Sequence, residues 1–387
     1  MRSSPSQPAA RGRIPVTLVT GFLGSGKTSL INMALHAPEM ARTVVVVNEF
    51  GEVGLDHKLV ARSNDAVVVL ENGCLCCTIR SDLVSTLNSL YHSRQRGDIP
   101  AFENVVIETS GLAEPGPVLQ AFLSEPTLDG LYRVASVVTL VDAINWRSTC
   151  EAHDEAVRQV AFADQILLTK LDLVDTDSGE VERQLRADLA KLNPTANIDV
   201  LDRNSASVAK LFTATGFDAA NPRANPVPWL ALAAHQGHAD HEDHDHGEGD
   251  ECEHDHSTRL REKGVESFVL LRNDPLSREE LQFLLEGITQ NLGPGLLRVK
   301  GLVNIREEPG RPAVIQGAQH LLHTMTWLER WPDADERTRV VFITQGIVRT
   351  MLKDVIEVLD RMSIRTFKAR ERGRLAQQAP RALEAKE

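Results

Sequence analysis

The chain has 387 residues, a formal net charge of −12 and five cysteines. The length predicts two or three domains, and the acidic balance excludes non-specific binding to nucleic acid or to an anionic membrane, because both need a basic face. The cysteines are too few and, at Cys74, Cys76 and Cys77, too clustered for a disulfide framework, so we expect a reduced, cytoplasmic protein.

Residues 1–12 lack the apolar stretch of a secretion signal and are predicted to be a disordered leader. Beyond them, apolar runs alternate with helix-like segments, which predicts an α/β domain with a mostly parallel, buried sheet at 13–225. The predicted strands are 14–20, 43–47, 66–70, 104–107, 134–141, 165–168 and 197–201. The predicted helices are 29–36, 80–95, 117–124, 154–162 and 179–192. No apolar run approaches the roughly 18 residues that span a bilayer.

A glycine-rich segment between the first strand and the first helix fits the phosphate-binding pattern Gly-x-x-x-x-Gly-Lys-Ser/Thr. Its glycines let the backbone aim N–H groups at a phosphate beside the positive end of a helix. Lys27 is expected to reach the β- and γ-phosphates and Thr28 to bind Mg²⁺. The predicted nucleotide-binding residues here are Gly21, Gly24, Ser25, Gly26, Lys27, Thr28 and Ser29.

Polar or small clusters follow the later strands as well, and the carboxyl ends of parallel strands meet at one edge of a sheet. Glu108 follows the fourth strand, where a carboxylate suits Mg²⁺, and Gly111 stands where the γ-phosphate is sensed. We assign Lys27, Thr28, Glu108 and Gly111 to hydrolysis. The acidic segment 48–56 is interpreted as a switch, with Glu49 as a candidate metal ligand; a solvated acidic loop is the alternative.

The cluster Cys74-Leu75-Cys76-Cys77 follows the third predicted strand. Soft thiolates select Zn²⁺, Cu⁺ or similar ions, and three of them leave one tetrahedral position open, which suits transfer better than storage. Buried structural cysteines are the alternative.

The segment Thr169-Lys170-Leu171-Asp172 follows an apolar strand and resembles the base-reading motif of GTPases, in which the aspartate accepts hydrogen bonds from guanine N1–H and the 2-amino group. Thr169, Lys170 and Asp172 are therefore candidate guanine-binding residues. An ordinary loop between a strand and a helix is the alternative reading of this segment alone.

Residues 226–262 form a linker rich in histidine and acid, which cannot build a core by itself. It carries the candidate metal ligands His238, His241, His244 and His246, flanked by His235, His254 and His256. A merely solvated acidic linker is the alternative.

The pattern of residues 263–366 predicts a small α+β domain with strands at 264–272, 296–305 and 339–344, a helix that Ser277 caps, and a last helix to about residue 359. Residues 367–387 are predicted to be a charged tail.

Five segments together resemble the CobW-like P-loop GTPases. They are 21–28, 48–56, 71–77, 108–115 and 169–172, and Arg298-Val-Lys-Gly301 with 315–320 resembles the C-terminal domain of that family. The resemblance implies a GTP-hydrolysing metallochaperone that uses GTP and Mg²⁺ and carries Zn²⁺, or alternatively Co²⁺, to a client metalloprotein. It also implies that the histidine-rich linker collects metal. The client and the oligomeric state do not follow from it.

Two other classes of protein compete with this interpretation, namely a metal buffer with a relict phosphate loop and a P-loop kinase or ATPase. The complete motif set disfavours the relict, and Asp172 favours guanine over adenine. We identify neither an arginine finger nor a water-orienting glutamine, so intrinsic hydrolysis is predicted to be slow without a partner. Because the cysteine cluster and the segment 48–56 follow successive strands, metal affinity is expected to depend on the nucleotide.

Overall fold

The computed structural model describes residues 13–48, 67–70, 76–174, 178–213, 264–319, 321–322, 325–347, 350–352, 354–358 and 361. The chain divides into two compact units, Met1–Leu260 and Arg261–Glu387. In the described part of the chain, no helix is long and apolar enough to span a membrane.

The first unit is built on a parallel sheet of seven strands in the order β3-β2-β4-β1-β5-β6-β7. The strands are β1 (Ile14–Gly21), β2 (Thr43–Asn48), β3 (Val67–Leu70), β4 (Asn104–Glu108), β5 (Tyr132–Asp142), β6 (Gln165–Thr169) and β7 (Asn197–Val200). The central strands are rich in valine, isoleucine and leucine and are buried, as a parallel sheet covered on both faces requires. The predicted α/β fold is confirmed.

Helices connect these strands. They are α1 (Lys27–Leu35), α2 (Cys76–Arg96), α3 (Pro115–Ser124), α4 (Pro126–Leu131), α5 (Trp146–Ala152), α6 (Asp154–Phe162), α7 (Ser178–Leu192) and α8 (Ser205–Thr213). Short 3-10 helices occupy Pro38–Arg42 and Leu171–Leu173. One core cluster joins α1 and α8 to the sheet through residues such as Leu30, Val106 and Phe212.

The helix predictions differ from the structure in two ways. The helix predicted to begin at residue 80 begins at Cys76 instead, and no glycine or proline interrupts residues 76–96. It ends before Gly97, which has a positive φ of 77°. Helices α4, α5 and α8 were not predicted, and α8 is the longest of the three. It lies beyond the last strand, yet Val208, Ala209 and Phe212 have helical spacing and are buried.

The second unit is an antiparallel sheet with a helix. Its strands are β8 (Val265–Arg272), β9 (Leu296–Val303), β10 (Ala313–Ala318), β11 (Leu321–Leu322), β12 (Thr326–Trp327) and β13 (Thr338–Gln345). They are ordered β11-β10-β9-β13-β8, with β12 paired to β10. Helix α9 (Arg278–Leu292) begins in a capping box between Ser277 and Glu280, as predicted. Residues 350–352 and 354–358 are helical. Leu281, Ile288, Val299 and Phe342 belong to its core, and the predicted α+β class is confirmed.

Candidate functional site

The segment between β1 and α1 forms a phosphate loop. Gly21, Gly24 and Gly26 have φ angles of 139°, 73° and 98°, a region that side chains with a Cβ rarely adopt. A Cβ on Gly21 would lie 2.5 Å from the Leu140 carbonyl oxygen, so β5 leaves no room for a larger residue. The loop ends at the first turn of α1, where backbone N–H groups and the helix dipole favour an anion.

Lys27 and Thr28 open helix α1 beneath this loop. The Lys27 ammonium donates to the carbonyl oxygens of Gly21 and Phe22, at 2.8 and 3.2 Å, and its side chain is almost fully buried. The structure therefore places a cation against the loop that would hold a phosphate. Ser25 is buried at the turn of the same loop.

Thr28 and Glu108 meet between α1 and the end of β4. The Thr28 hydroxyl donates to Oε1 of Glu108 at 2.8 Å, and Glu108 is only 4% exposed. A hydroxyl and a carboxylate that lie together beside a phosphate loop are oxygen ligands of the kind Mg²⁺ takes. The residues present therefore fit this ion.

The loop 109–114 after β4 is held against the phosphate loop. Thr109 places its hydroxyl 3.0 Å from that of Thr20, and its backbone N–H donates to Val19 at 2.9 Å. A Cβ on Gly111 would lie 2.7 Å from the backbone nitrogen of Leu23. Only glycine allows this close approach, so the loop 109–114 packs directly against the phosphate loop.

Helix α6 supports the loop 109–114 from the other side, which sequence reasoning missed. The buried amide of Gln159 donates to the carbonyl oxygens of Gly111 and Ala113, both at 3.0 Å. Arg158 forms an ion pair with Glu114. The available signal was a glutamine on the apolar face of a helix otherwise buried through alanine, valine and phenylalanine.

The predicted base-reading segment follows β6. The Thr169 hydroxyl lies 3.0 Å from the Ser25 carbonyl oxygen and 3.2 Å from that of Val141, which connects this segment to the phosphate loop. Lys170 has a left-handed backbone, with φ 62°, and its ammonium donates to Asp142 at 2.6 Å.

Asp142 ends β5 and is another residue that the sequence assigned no role. Burial alone would raise the pKa of its carboxyl group, but hydrogen bonds from Lys170, Asn145 and the Ile144 backbone N–H outweigh burial and hold the pKa below its usual range. The carboxylate thus fixes the lysine of the base-reading segment.

Asp172 lies in the 3-10 turn Leu171–Leu173, on the surface. Arg203 donates to both of its carboxylate oxygens, at 2.9 and 2.8 Å, and both side chains are more than half exposed. A guanine base that used this carboxylate would have to share it with Arg203 or displace the guanidinium. Sequence reasoning did not identify Arg203.

Most of the predicted metal ligands lie outside the described residues. These are Glu49, Cys74 and the linker histidines His238, His241, His244 and His246. Cys76 and Cys77 are the first two residues of α2, described by their backbone. Among the side chains that the structure does describe, no group of three or more histidine, cysteine, aspartate and glutamate residues could hold a metal ion.

Comparison with known domains accounts for both units. Residues 15–199 match the CobW/HypB/UreG nucleotide-binding domain, and residues 265–359 match the C-terminal domain of the cobalamin synthesis protein CobW. A crystal structure described as the Zn(II)-bound YjiA GTPase from Escherichia coli superposes with a TM-score of 0.65 at 26% identity, over 90% of this chain and 99% of that one.

Two curated relatives match most of the chain. The zinc chaperone YjiA of Escherichia coli is 31% identical over 330 residues, which cover 85% of this chain and 93% of the relative. The zinc-regulated GTPase metalloprotein activator 1 of Dictyostelium discoideum is 29% identical over 335 residues, 77% of this chain and 64% of the relative. The resemblance drawn from the sequence motifs is confirmed, and the chain belongs to the CobW family of nucleotide-binding proteins.

Proposed function

We propose that this protein is a GTP-hydrolysing metallochaperone that binds zinc and transfers it to a client metalloprotein. The observation that supports this most is the Thr28–Glu108 pair beside the phosphate loop, in a chain that aligns along most of its length with a zinc chaperone. Delivery to a client would take place in the cytoplasm, which the cluster of cysteines favours.

In this proposal the phosphate loop and α1 bind the triphosphate. Lys27 contacts the β- and γ-phosphates, while the loop N–H groups surround them. Thr28 and Glu108 hold Mg²⁺, which supplies positive charge against the phosphate oxygens when bound. Gly111 meets the γ-phosphate, so the loop 109–114 distinguishes GTP from GDP.

The base-reading segment, residues 169–172, selects the base. Asp172 accepts hydrogen bonds from guanine N1–H and the 2-amino group, and adenine cannot offer that pair. Thr169 ties the base-reading segment to Ser25, so the base site and the phosphate loop form one unit. Asp142 holds the Lys170 side chain of this segment in place.

Zinc is the cargo rather than a resident cofactor. Cys74, Cys76 and Cys77 are the proposed ligands, with Glu49 as a further candidate, and Co²⁺ is the alternative ion. Cysteine binds zinc as the deprotonated thiolate. The histidines of the linker 226–262 would collect additional zinc ions with lower affinity.

A competition titration tests the proposal. A chromophoric zinc chelator is titrated against the protein with Mg²⁺ and either GDP or a non-hydrolysable GTP analogue, and turnover of GTP is measured in parallel. We expect zinc affinities that differ by about 5- to 150-fold between the two nucleotide states, because linked sites alter each other's binding. Cys76→Ser should abolish the difference, and Cys150→Ser, which changes a buried cysteine in α5, should keep it.

Two results would contradict the proposal. Equal zinc affinities in both states would separate the metal from the nucleotide, and absence of GTP turnover would leave only a binding protein. Deletion of 235–256 gives a further check: turnover should persist while weakly bound zinc is lost, and that zinc should also be lost below about pH 6.5, where imidazoles become protonated.

A further inference from the structure

Gln159 satisfies two backbone carbonyl groups of the loop that would meet the γ-phosphate. Its amide nitrogen lies 3.0 Å from the carbonyl oxygens of both Gly111 and Ala113, and the side chain is 1% exposed. A primary amide carries two N–H donors, so one side chain can serve both acceptors. The backbone carbonyl oxygen of Gln159 accepts a hydrogen bond from the Thr139 hydroxyl at 3.0 Å, which fixes this part of α6 to β5.

The loop 109–114 also contacts the phosphate loop. Gly111 packs against the backbone of Leu23, and the N–H of Ala113 donates to the Ser110 carbonyl at 3.0 Å, which closes a tight turn. The turn is therefore held between the phosphate loop and α6. Its distance from a bound γ-phosphate depends on both supports, and Gln159 provides the one from α6.

The chemistry at this position requires an amide. A methionine would fill the same space but leave two buried carbonyl groups without their donor. A glutamate would place a carboxylate opposite two carbonyl oxygens, which repel it. Packing alone does not need a polar group here, because the neighbouring buried positions of α6 are alanine, valine and phenylalanine. The amide therefore provides hydrogen bonds to the loop 109–114 rather than packing to the core.

We infer that Gln159 is a positioning residue for GTP hydrolysis, one that holds the turn around Gly111 at the distance from the phosphate loop at which it meets the γ-phosphate. This inference rests on the proposed GTPase function. Small misplacements of groups around a reacting centre lower rates steeply, by about 100-fold for 1 Å. Nucleotide affinity depends mainly on the phosphate loop and the base-reading segment, whereas the Gln159 side chain donates its hydrogen bonds to the loop 109–114.

The test measures single-turnover GTP hydrolysis, GTP affinity and thermal unfolding for Gln159→Met and Gln159→Glu in the full chain. We expect the rate to fall by about 10- to 100-fold, with the larger loss for Gln159→Glu, because the carboxylate repels the carbonyl groups. The affinity for GTP should change by less than about 3-fold, because the contacts that bind the nucleotide remain.

Asn193, which follows α7, offers a matched control because its side chain also binds backbone carbonyl groups of α6. It is fully buried, and its amide donates to the carbonyl oxygens of Val160, Ala161 and Ala163 at 2.8, 3.2 and 2.9 Å. It thus ties the C-terminal end of α6 without contacting the loop 109–114. Asn193→Leu should lower the unfolding temperature and leave the hydrolysis rate of the folded protein within about 3-fold of the unchanged chain, since no group near the phosphates moves.

Different results would contradict the proposed GTPase function and the positioning role of Gln159. If the unchanged protein does not hydrolyse GTP, the proposed function fails. If it does and Gln159→Met retains its rate, Gln159 is structural only. Equal rate losses for Gln159→Met and Asn193→Leu would likewise assign the effect to general destabilisation of α6.

Discussion

The two units bury polar side chains in different places. In the first unit, Ser25, Glu108 and Thr169 lie at or just beyond the carboxyl ends of parallel strands, around the phosphate loop. In the second unit, Lys300 and Arg339 lie inside strands β9 and β13 of the antiparallel sheet. Polar groups are costly to bury, so each pattern needs a physical reason.

The contacts of these groups supply the reason. Arg339 is held by both carboxylate oxygens of Asp333, at 2.9 and 3.1 Å, so its charge is satisfied by a neighbour in its own unit. The Thr28 hydroxyl instead donates to the Glu108 carboxylate beside the phosphate loop, where we propose that the pair holds Mg²⁺. We therefore expect substitutions of Lys27 and of the buried polar residues around the phosphate loop to impair nucleotide chemistry, and substitutions in the second unit to affect stability.

Lys27→Ala should have the largest effect. It removes the cation that would face the phosphates, and loss of one preorganised charge donor typically lowers a rate by about 100- to 1,000-fold. Single-turnover GTP hydrolysis measures this loss. Lys210→Ala, which changes an exposed lysine of α8, is the control and should leave the rate unchanged. Similar rates for the two variants would show that the phosphate loop does not serve turnover.

Asp172→Asn should weaken GTP binding by about 10- to 100-fold, because hydrogen bonds to a charged group contribute about 1.5–3 kcal/mol. The amide presents a donor to guanine N1–H and should bind xanthine nucleotides better. Fluorescent nucleotide titrations with GTP, XTP and ATP measure the order of affinity. The prediction is wrong if the unchanged protein binds ATP as tightly as GTP.

Gly301→Ala tests the second unit. A Cβ at this position would lie 2.4 Å from the Arg339 carbonyl oxygen and 2.8 Å from Cα of Val340, so strands β9 and β13 would have to separate. We expect a loss of about 1–3 kcal/mol in unfolding free energy, with the rate of GTP hydrolysis by the folded protein unchanged. Gly130→Ala, at an exposed helical position without close neighbours, should cause no loss. If Gly301→Ala changed the rate of hydrolysis but not the stability, the expected difference between the two units would be wrong.

The fold could be predicted from the sequence because the parallel strands are continuous apolar runs and the glycine loop has a fixed spacing. The same patterns brought Lys27, Thr28 and Glu108 to one edge, since carboxyl ends of parallel strands meet there. Helix α8 was missed because its apolar face follows the last strand, in a part of the predicted domain to which no element had been assigned.

The supporting residues could not be read from the sequence for another reason. Gln159 and Arg203 act through contacts 46 and 31 residues away along the chain, with Ala113 and Asp172. No local pattern encodes such a pairing, because it depends on how α6 and the segment after β7 pack in three dimensions. Asp142 was visible at the end of its strand, but its bond to Lys170 was not.

Ser277→Ala should produce a smaller loss, confined to stability. The Ser277 hydroxyl accepts from the Glu280 backbone N–H at 3.1 Å, and the Glu280 carboxylate accepts from the Ser277 N–H at 2.6 Å. Loss of such a cap costs about 1 kcal/mol. Urea unfolding measures it, and Ser277→Asp, which keeps an oxygen acceptor, should retain most of the stability. If both variants were equally destabilised, the cap would not be the cause.

Asp142 should produce the smallest effect, a contribution to stability that is lost in acid. Its pKa is lower in the folded chain than in the unfolded chain, despite burial, because Lys170, Asn145 and the Ile144 N–H bind the charged form. The stabilisation is therefore fully present above the unfolded pKa of about 3.9 and is lost as the pH falls through the folded value. Urea unfolding from about pH 7 down to the folded pKa should show a stability difference between the unchanged protein and Asp142→Asn that is constant above about pH 5 and shrinks below about pH 4. Lys170→Met should flatten this dependence, since it removes the main partner. A difference that persisted unchanged in acid would mean that the ion pair does not hold the carboxylate in its charged form.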